Sequence, residues 1–143
     1  GWENMKLLID TNVVLDVLLK RQPFFEHAAK VLKLSAREDI EEFISASAIT
    51  DIYYIAYKYL KDKELVRQLL KKLMGIVSIA AVSEKEIEEA LELAWNDFED
   101  SVQYAVALLN EMDGIVTRNP KDYKRADMKV WSPEQVLQKF QDI

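Results

Sequence analysis

A short apolar segment that ends in a carboxylate and turns at once into a helix lies near the start of the chain. Leu7, Leu8 and Ile9 form a run typical of a buried strand, and Asp10 follows directly. A helical pattern begins almost immediately, over residues 13–19. This order predicts that Asp10 lies at the carboxyl edge of a sheet, which is where open α/β folds bind ligands.

The same alternation of apolar segments and helical patterns continues along the chain. Further strands are predicted at residues 43–46, 76–82, 115–117 and 129–131. Helices are predicted at residues 24–37, 48–60, 62–74, 83–95, 97–113 and 132–140, with Ser47 as an N-cap and Gly75 and Gly114 as helix ends. Alternating strands and helices predict an α/β fold, a three-layer α/β/α sandwich with a central, mainly parallel sheet of four to five strands. We expect a single domain over residues 5–143, with residues 1–4 as a leader before Met5.

Composition narrows the chemistry that the chain can perform. The sequence has no cysteine and one histidine, so thiolate chemistry and Cys- or His-based metal sites are excluded. Any metal must be held by oxygen atoms, which favour hard cations such as Mg²⁺ or Mn²⁺. The net charge of −6 argues against a protein that coats nucleic acid non-specifically. With no membrane-length apolar run and no signal-peptide pattern, a cytoplasmic protein is expected.

Acidic and amide side chains follow several of the predicted strands or begin the next helix. They are Asp10, Asp51, Asp97, Asp100, Asn119 and Asp122. Because strand ends of a parallel sheet share one edge, these groups can converge there. Converging carboxylates repel each other, and bound divalent cations relieve that repulsion. Two such ions could polarise a phosphodiester, activate a water and stabilise the leaving oxygen.

Each of these residues also has a purely structural interpretation. Asp10 and Asp97 could simply be helix N-caps, and Asp51 and Asp100 lie in or near first helical turns. At Asp100 the helix dipole is expected to favour the ionised form that a metal ligand needs. Taken singly, the capping interpretation is the stronger one, and the physical argument leaves both open.

Four segments, taken together, resemble the PIN domain family, close to the VapC-like toxins of bacteria. They are IDTNV at residues 9–13, SASAITDIYY at 45–54, DFED at 97–100 and IVTRNPKDY at 115–123. The resemblance covers nearly the whole chain, from Met5 to about Phe140. It implies a small α/β/α ribonuclease that uses Mg²⁺ or Mn²⁺ and leaves a 5′-phosphate and a 3′-hydroxyl.

The same resemblance implies roles for individual residues. By position, Asp10, Asp51 and Asp100 match the three main acidic ligands, and Asp97 is a further acid. Many family members have Asp where Asn119 stands, so either Asn119 or Asp122 completes the set. Asn12 and Thr117 resemble the polar residues that orient the first carboxylate and the attacking water.

The resemblance also implies partners, namely an RNA substrate, a small antitoxin protein and a second copy of the chain in a homodimer. Four cations near the fourth strand are candidate RNA phosphate contacts or simply a solvated loop: Arg118, Lys121, Lys124 and Arg125. Lys20 and Arg21 are a candidate second phosphate contact or an antitoxin contact. The alternatives are a catalytically silent PIN-like RNA- or protein-binding module, motivated by Asn119 and the acidic charge, and a small Mg²⁺-dependent phosphatase.

Overall fold

The computed structural model describes residues 4–141. Residues 1–3 and 142–143 lie outside it. The expected leader, apart from residue 4, and the last two residues of the expected domain are therefore outside the described part. In residues 4–141, no helix is long and apolar enough to cross a membrane.

Five strands form one sheet within the described residues: β1 (Met5–Ile9), β2 (Ile40–Ser45), β3 (Ser78–Ala80), β4 (Gly114–Val116) and β5 (Lys129–Trp131). The strand order is β3-β2-β1-β4-β5, and every neighbouring pair is parallel. The prediction of a parallel α/β sandwich is therefore confirmed, with β1 at the centre. Because the strands are parallel, their carboxyl ends share one edge, and Asp10 lies at the middle of it.

Seven helices connect and cover the strands in the described part: α1 (Thr11–Leu18), α2 (Phe25–Lys33), α3 (Ala46–Leu60), α4 (Lys63–Met74), α5 (Glu84–Leu93), α6 (Phe98–Leu109) and α7 (Pro133–Gln141). Short 3-10 turns occupy Leu34–Ala36 and Pro120–Tyr123. Gly75 ends α4 as predicted, and side chains also cap the starts of α4 and α5. Asp62 accepts a hydrogen bond from the Leu65 N–H at 3.0 Å, and Glu86 accepts one from the Ser83 N–H at 2.8 Å.

The alternating side chains of β1 divide the core into two layers. Leu7 and Ile9 pack on the layer formed by α1, α2, α3, α4 and α7, whereas Leu8 packs against α5 and α6. All three side chains are completely buried. Full burial of such a side chain contributes about 1.5–3 kcal/mol, so this short central strand stabilises both layers.

The start of α3 differs from its prediction. Ser45, rather than Ser47, is the N-cap, and its Oγ accepts a hydrogen bond from the Ala48 N–H at 3.3 Å. The sequence offers two serines two residues apart, and the one that ends β2 is the one oriented toward the free N–H groups. The helix therefore begins at Ala46 and carries Asp51 slightly farther from its N-terminus than expected.

Gly114 also differs from its prediction, because it lies in β4 and does not end a helix. α6 already ends at Leu109. A Cβ at Gly114 would lie 2.9 Å from the Lys129 carbonyl oxygen and would collide with the Trp131 ring. Glycine is required here because β4 and β5 approach each other closely under the indole.

Glu42 is a carboxyl group buried in the core. It pairs in register with Leu7 and is flanked along β2 by Ile40 and Ile44, which belong to the first core layer. Neither carboxyl oxygen has a hydrogen-bond partner among the described residues. Burial raises the pKa of Glu42 to about 9, so the folded protein holds this group neutral at physiological pH.

Replacing Glu42 with Gln should make stability less dependent on pH. The pKa of Glu42 is raised from 4.5 to about 9 in the folded state, so above pH 4.5 only the unfolded chain ionises readily. The contribution of Glu42 to the free energy of unfolding is therefore complete below pH 4.5. It is lost as the pH rises toward 9, by up to about 1.4 kcal/mol per pH unit. Urea denaturation at several pH values between 5 and 8.5, a window taken from these two pKa values, should show a shallower slope for Glu42→Gln. Glu88→Gln, on an exposed face of α5, is the matched control. Equal slopes for Glu42→Gln and the wild type would contradict the neutral buried state.

Candidate metal site at the carboxyl edge of the sheet

A cleft of about 440 Å³ opens at the carboxyl edge of β1 and β2. Among the described residues that line it are six acids, Asp10, Asp51, Asp97, Glu99, Asp100 and Asp122. We call it the acid cleft. The structure thus brings together five of the six predicted metal-site residues from four remote segments. Their role as metal ligands remains a prediction.

Asp10 is the most highly connected acid of the cleft. It caps α1 by accepting the Thr11 N–H at 2.8 Å. It also accepts hydrogen bonds from the Thr117 hydroxyl at 2.8 Å, the Tyr123 hydroxyl at 3.2 Å and the Gln103 side-chain amide at 3.2 Å. A carboxylate has about four lone-pair sites, so these four donors fix its position completely.

Asn12 and Thr117 are linked to each other and to Asp10. The Asn12 side-chain amide donates to Thr117 Oγ1 at 3.4 Å, and Asn12 Oδ1 accepts the Arg118 N–H at 3.1 Å. Thr117 is completely buried, and its hydroxyl donates to Asp10. Thr117 thus contacts the Asp10 carboxylate directly, and Asn12 contacts it only through Thr117. An effect of either residue on an attacking water stays a prediction.

The start of α6 contributes two acids of different kinds. Asp97 caps the helix by accepting the Asp100 N–H at 3.0 Å, which confirms its capping interpretation, and its role as a ligand stays a prediction. Burial, followed by the charges of Asp97, Asp10 and Asp122, raises the pKa of Asp100 to about 7. This shift is opposite to the one that the dipole of α6 is expected to favour, because burial and repulsion raise the pKa of Asp100.

Glu99 is an acid of the cleft that the sequence interpretation did not single out. Burial raises its pKa, and hydrogen bonding with Asp51 and the charges of Asp51, Asp97 and Asp10 raise it further. Glu99 therefore lies beside Asp51 in the cleft. The acids of the first, third and sixth helices thus interact electrostatically across the cleft.

The structure distinguishes the two candidates for the last position of the acid cluster. Asp122 lines the cleft, and its charge contributes to the raised pKa of Asp100. Asn119 is exposed and is not among the lining residues. Its backbone N–H donates to Thr117 Oγ1 at 3.3 Å, and its carbonyl accepts the Asp122 N–H at 3.0 Å. Asn119 therefore shapes the turn that carries Asp122 into the cleft.

The chemistry of the acid cleft matches a hard cation. All of its acidic groups are oxygen donors, and the one histidine, His27, lies instead near Glu134 of α7 at 3.8 Å. Within residues 4–141, no three acid or histidine side chains already surround one point as ion ligands do. Binding an ion here would therefore require some of these side chains to rotate toward a common point.

The four predicted RNA contacts separate into two groups. Lys121, Lys124 and Arg125 line a second cleft of about 260 Å³, which shares Asp97, Asp100 and Asp122 with the acid cleft. We call it the basic cleft. Arg118 points elsewhere: its Nε and Nη2 bind the Asp16 carboxylate at 3.1 and 2.9 Å, and its guanidinium lies 3.9 Å from the centre of the Phe24 ring. Arg118 is thus engaged within the protein.

Two further polar residues support the site and were missed. Gln103 donates to Asp10 and accepts the Ser45 hydroxyl at 2.5 Å, and Tyr123 donates to Asp10 from a completely buried position. A glutamine on the inward side of an otherwise apolar helix is the one pattern that could have identified Gln103. Nothing local in the sequence distinguishes Tyr123 from a core aromatic residue.

Comparison with known proteins identifies relatives along the whole described region. The model of the PIN domain matches residues 6–121. The chain is 24% identical to Ribonuclease VapC1 of Aquifex aeolicus (strain VF5) over 143 residues. The alignment covers 96% of this chain and 97% of that protein.

Solved structures show the same fold. The structure of VapBC2 from Rickettsia felis bound to a promoter DNA fragment matches with a TM-score of 0.73 at 20% identity. The match covers 90% of this chain and 98% of that chain. A toxin–antitoxin complex from Klebsiella pneumoniae matches with a TM-score of 0.68 at 23% identity. The match covers 89% of this chain and 97% of that chain.

Replacing Asp100 with Asn should preserve or increase the stability of the metal-free protein. Its pKa is raised from 3.8 to about 7, so the folded state loses stability as the group ionises between those values. Above pH 7 the amide removes that cost, a gain of about 1–2 kcal/mol after allowance for solvent screening. Urea denaturation in EDTA at pH 8, one unit above that pKa, should show it. The control is Asp62→Asn, which keeps a cap outside the cleft. A clear loss of stability in Asp100→Asn alone would contradict mutual repulsion in the cleft.

Proposed function

This chain belongs to the PIN domain family, and from that premise we propose that it is a metal-dependent endoribonuclease that hydrolyses RNA phosphodiester bonds, the toxin of a bacterial toxin–antitoxin pair. The observation that carries the proposal is the acid cleft, where six carboxylates from remote segments meet at the sheet edge. A relative of nearly the same length bears the name ribonuclease. Because its substrate is RNA, we propose that the protein acts in the cytoplasm.

We propose that Asp10, Asp51 and Asp100 hold Mg²⁺ or Mn²⁺, with Asp97 and Asp122 as further oxygen donors. When bound, the cation would polarise the phosphodiester and make a water molecule more acidic. The raised pKa of Asp100 supports this assignment, because a nearby cation would relieve the repulsion that raises it.

The protein's own hydrogen bonds define how Asp10 would take up a ligand. Its four donors leave no free lone pair, so one of them must give way. The bonds from Gln103 and Tyr123, both 3.2 Å, are longer than the other two and are the ones we expect to yield. The Thr117 hydroxyl at 2.8 Å would then keep the carboxylate oriented toward the cleft.

We also propose that the chain binds a small antitoxin and forms a homodimer. Large apolar side chains are exposed on and after α3 and α4, namely Tyr54, Ile55, Tyr59, Leu65, Met74 and Ile76. Exposed apolar surface of this kind is what a protein partner covers. The structural relative from Klebsiella pneumoniae is a toxin–antitoxin complex by name, which supports the antitoxin.

A second candidate function, a catalytically silent PIN-like binding module, is favoured by one observation. Within residues 4–141 no three acids already surround an ion position. Asn119, the earlier reason for this alternative, carries less weight because Asp122 supplies a charge in the cleft. A silent module should bind Mn²⁺ only at millimolar concentrations. A nuclease should show saturable Mn²⁺ binding together with metal-dependent cleavage.

Purified protein should cleave single-stranded RNA with Mg²⁺ or Mn²⁺ and stop when EDTA is added. Asp10→Asn and Asp100→Asn should each lower the rate by at least about a hundredfold, because each removes a charged ligand of the proposed cation. Gel analysis with end-labelled RNA measures the rate, and end-specific enzymes should find a 5′-phosphate and a 3′-hydroxyl. Asp62→Asn, outside the cleft, should cleave as the wild type does. Cleavage that survives both cleft substitutions would exclude this site.

Co-expression with the short open reading frame beside its gene should yield a stable complex. Covering the exposed apolar side chains of α3 and α4 is the expected driving force. Size-exclusion chromatography with light scattering would measure the mass of the complex and of the chain alone. A chain that stays monomeric and retains no co-expressed partner would contradict both parts of the partner proposal.

A further inference from the structure

Arg21 is the one residue with a full positive charge among the described residues that line the acid cleft. It belongs to the segment between α1 and α2, and its side chain is 28% exposed. A cation among six acids would be expected to pair with one of them. Within residues 4–141, however, the ion pair that Arg21 forms is with Asp16, which does not line the cleft.

Asp16 forms an ion pair with the Arg21 guanidinium and fixes its position. Its carboxylate is completely buried and accepts Arg21 Nε at 2.8 Å. The same carboxylate binds Arg118 through two nitrogens, so one buried negative charge faces two arginines. The group of three therefore carries a net charge of about +1. This surplus lies beside the acid cleft and is fixed by a buried partner rather than by a flexible side chain.

The hydrogen bonds of Arg21 leave part of its guanidinium available. Nε binds Asp16, and Nη2 makes a long contact of 3.4 Å with the Asn12 carbonyl. Nη1 has no hydrogen-bond partner among the described residues. An anchored guanidinium with free N–H groups is well suited to a phosphate, which accepts two parallel hydrogen bonds.

We propose that Arg21 binds a phosphate of the RNA strand in the acid cleft, next to the cation site formed around Asp10. This inference rests on the proposed function, since it names how that same site holds its substrate. An acid cleft repels RNA, so a positioned cation beside it supplies attraction that the carboxylates lack. Arg21 touches substrate in this assignment, whereas Asp16 is a positioning residue that acts through it.

A structural interpretation of Arg21 makes different predictions. If Arg21 only balanced the charge of the acids, its removal would leave RNA affinity unchanged and would tighten Mn²⁺ binding, because a repelling cation is lost. If it binds phosphate, its removal weakens RNA binding directly. The absence of an ion pair between Arg21 and the cleft acids, among the described residues, favours the phosphate.

The test measures binding of a short fluorescein-labelled single-stranded RNA by anisotropy, with Ca²⁺ in place of the cleavage-supporting cation. We expect Arg21→Gln to weaken binding by about tenfold. The slope of log Kd against log salt concentration should fall by about 0.7, the value for one phosphate contact on a single strand. Arg21→Lys, which keeps the charge, should recover that slope.

The matched control is Arg67→Gln, which removes an exposed arginine of α4 that pairs with Glu64. It should leave both affinity and slope unchanged. Thermal unfolding checks that each variant is folded; if Arg21→Gln does not fold, Arg21→Lys and the wild-type salt slope carry the test. Unchanged RNA affinity in Arg21→Gln, or a slope that Arg21→Lys fails to recover, would overturn the proposal.

The binding assay is independent of cleavage. If the wild-type protein binds RNA through Arg21 but never cleaves it, the proposed reaction is wrong and this inference is supported. If the wild-type protein cleaves RNA and Arg21→Gln binds RNA normally, the reaction is supported and this inference is wrong. The two proposals can therefore fail separately.

Discussion

The mutual repulsion of carboxylates at the carboxyl edge of the sheet is the constraint on which this structure depends. A parallel sheet forces the ends of β1, β2 and β4 to one edge, where Asp10 directly follows β1 and Asp51 lies in the helix after β2. The start of α6, the helix before β4, brings Asp100 to the same edge. Burial and the charges of three neighbouring acids together raise the pKa of Asp100 to about 7. Clustered carboxylates with raised pKa values are typical of functional sites, which is why this cleft is the candidate site.

Asp10 shows how the fold tolerates this repulsion. Its four donors come from the start of α1, from α6, from the residue after β4 and from the 3-10 turn. Two of the four donors are themselves held, Gln103 by Ser45 and Thr117 by Asn12. The Asp10 carboxylate therefore joins four parts of the chain through hydrogen bonds. A side chain proposed as a metal ligand is thus also a helix cap and a structural contact.

The fold and the positions of the main acids follow from local patterns in the sequence, whereas their connections do not. Strand and helix periodicities predicted all five strands, and topology then placed Asp10, Asp51 and Asp100 together. The choice between Asn119 and Asp122 depended on a 3-10 turn that no periodicity specifies. Gln103, Tyr123 and the pairing of Asp16 with two arginines depend on contacts between remote elements. The raised pKa of Asp100 likewise depends on burial and on acids from other segments, which the start of one helix does not specify.

Asn12 contacts both the acids and the arginines. It reaches Asp10 through Thr117, and its carbonyl and side chain contact Arg21 and the Arg118 backbone. The buried Asp16 prevents the two guanidiniums from collapsing onto the cleft acids, because each already has a closer partner. Asp16 therefore keeps Arg21 from forming an ion pair with the cleft acids, although both line the same cleft. The proposed substrate, a phosphodiester with a divalent ion, would need this separation, because the ion requires carboxylates and the phosphate requires a guanidinium.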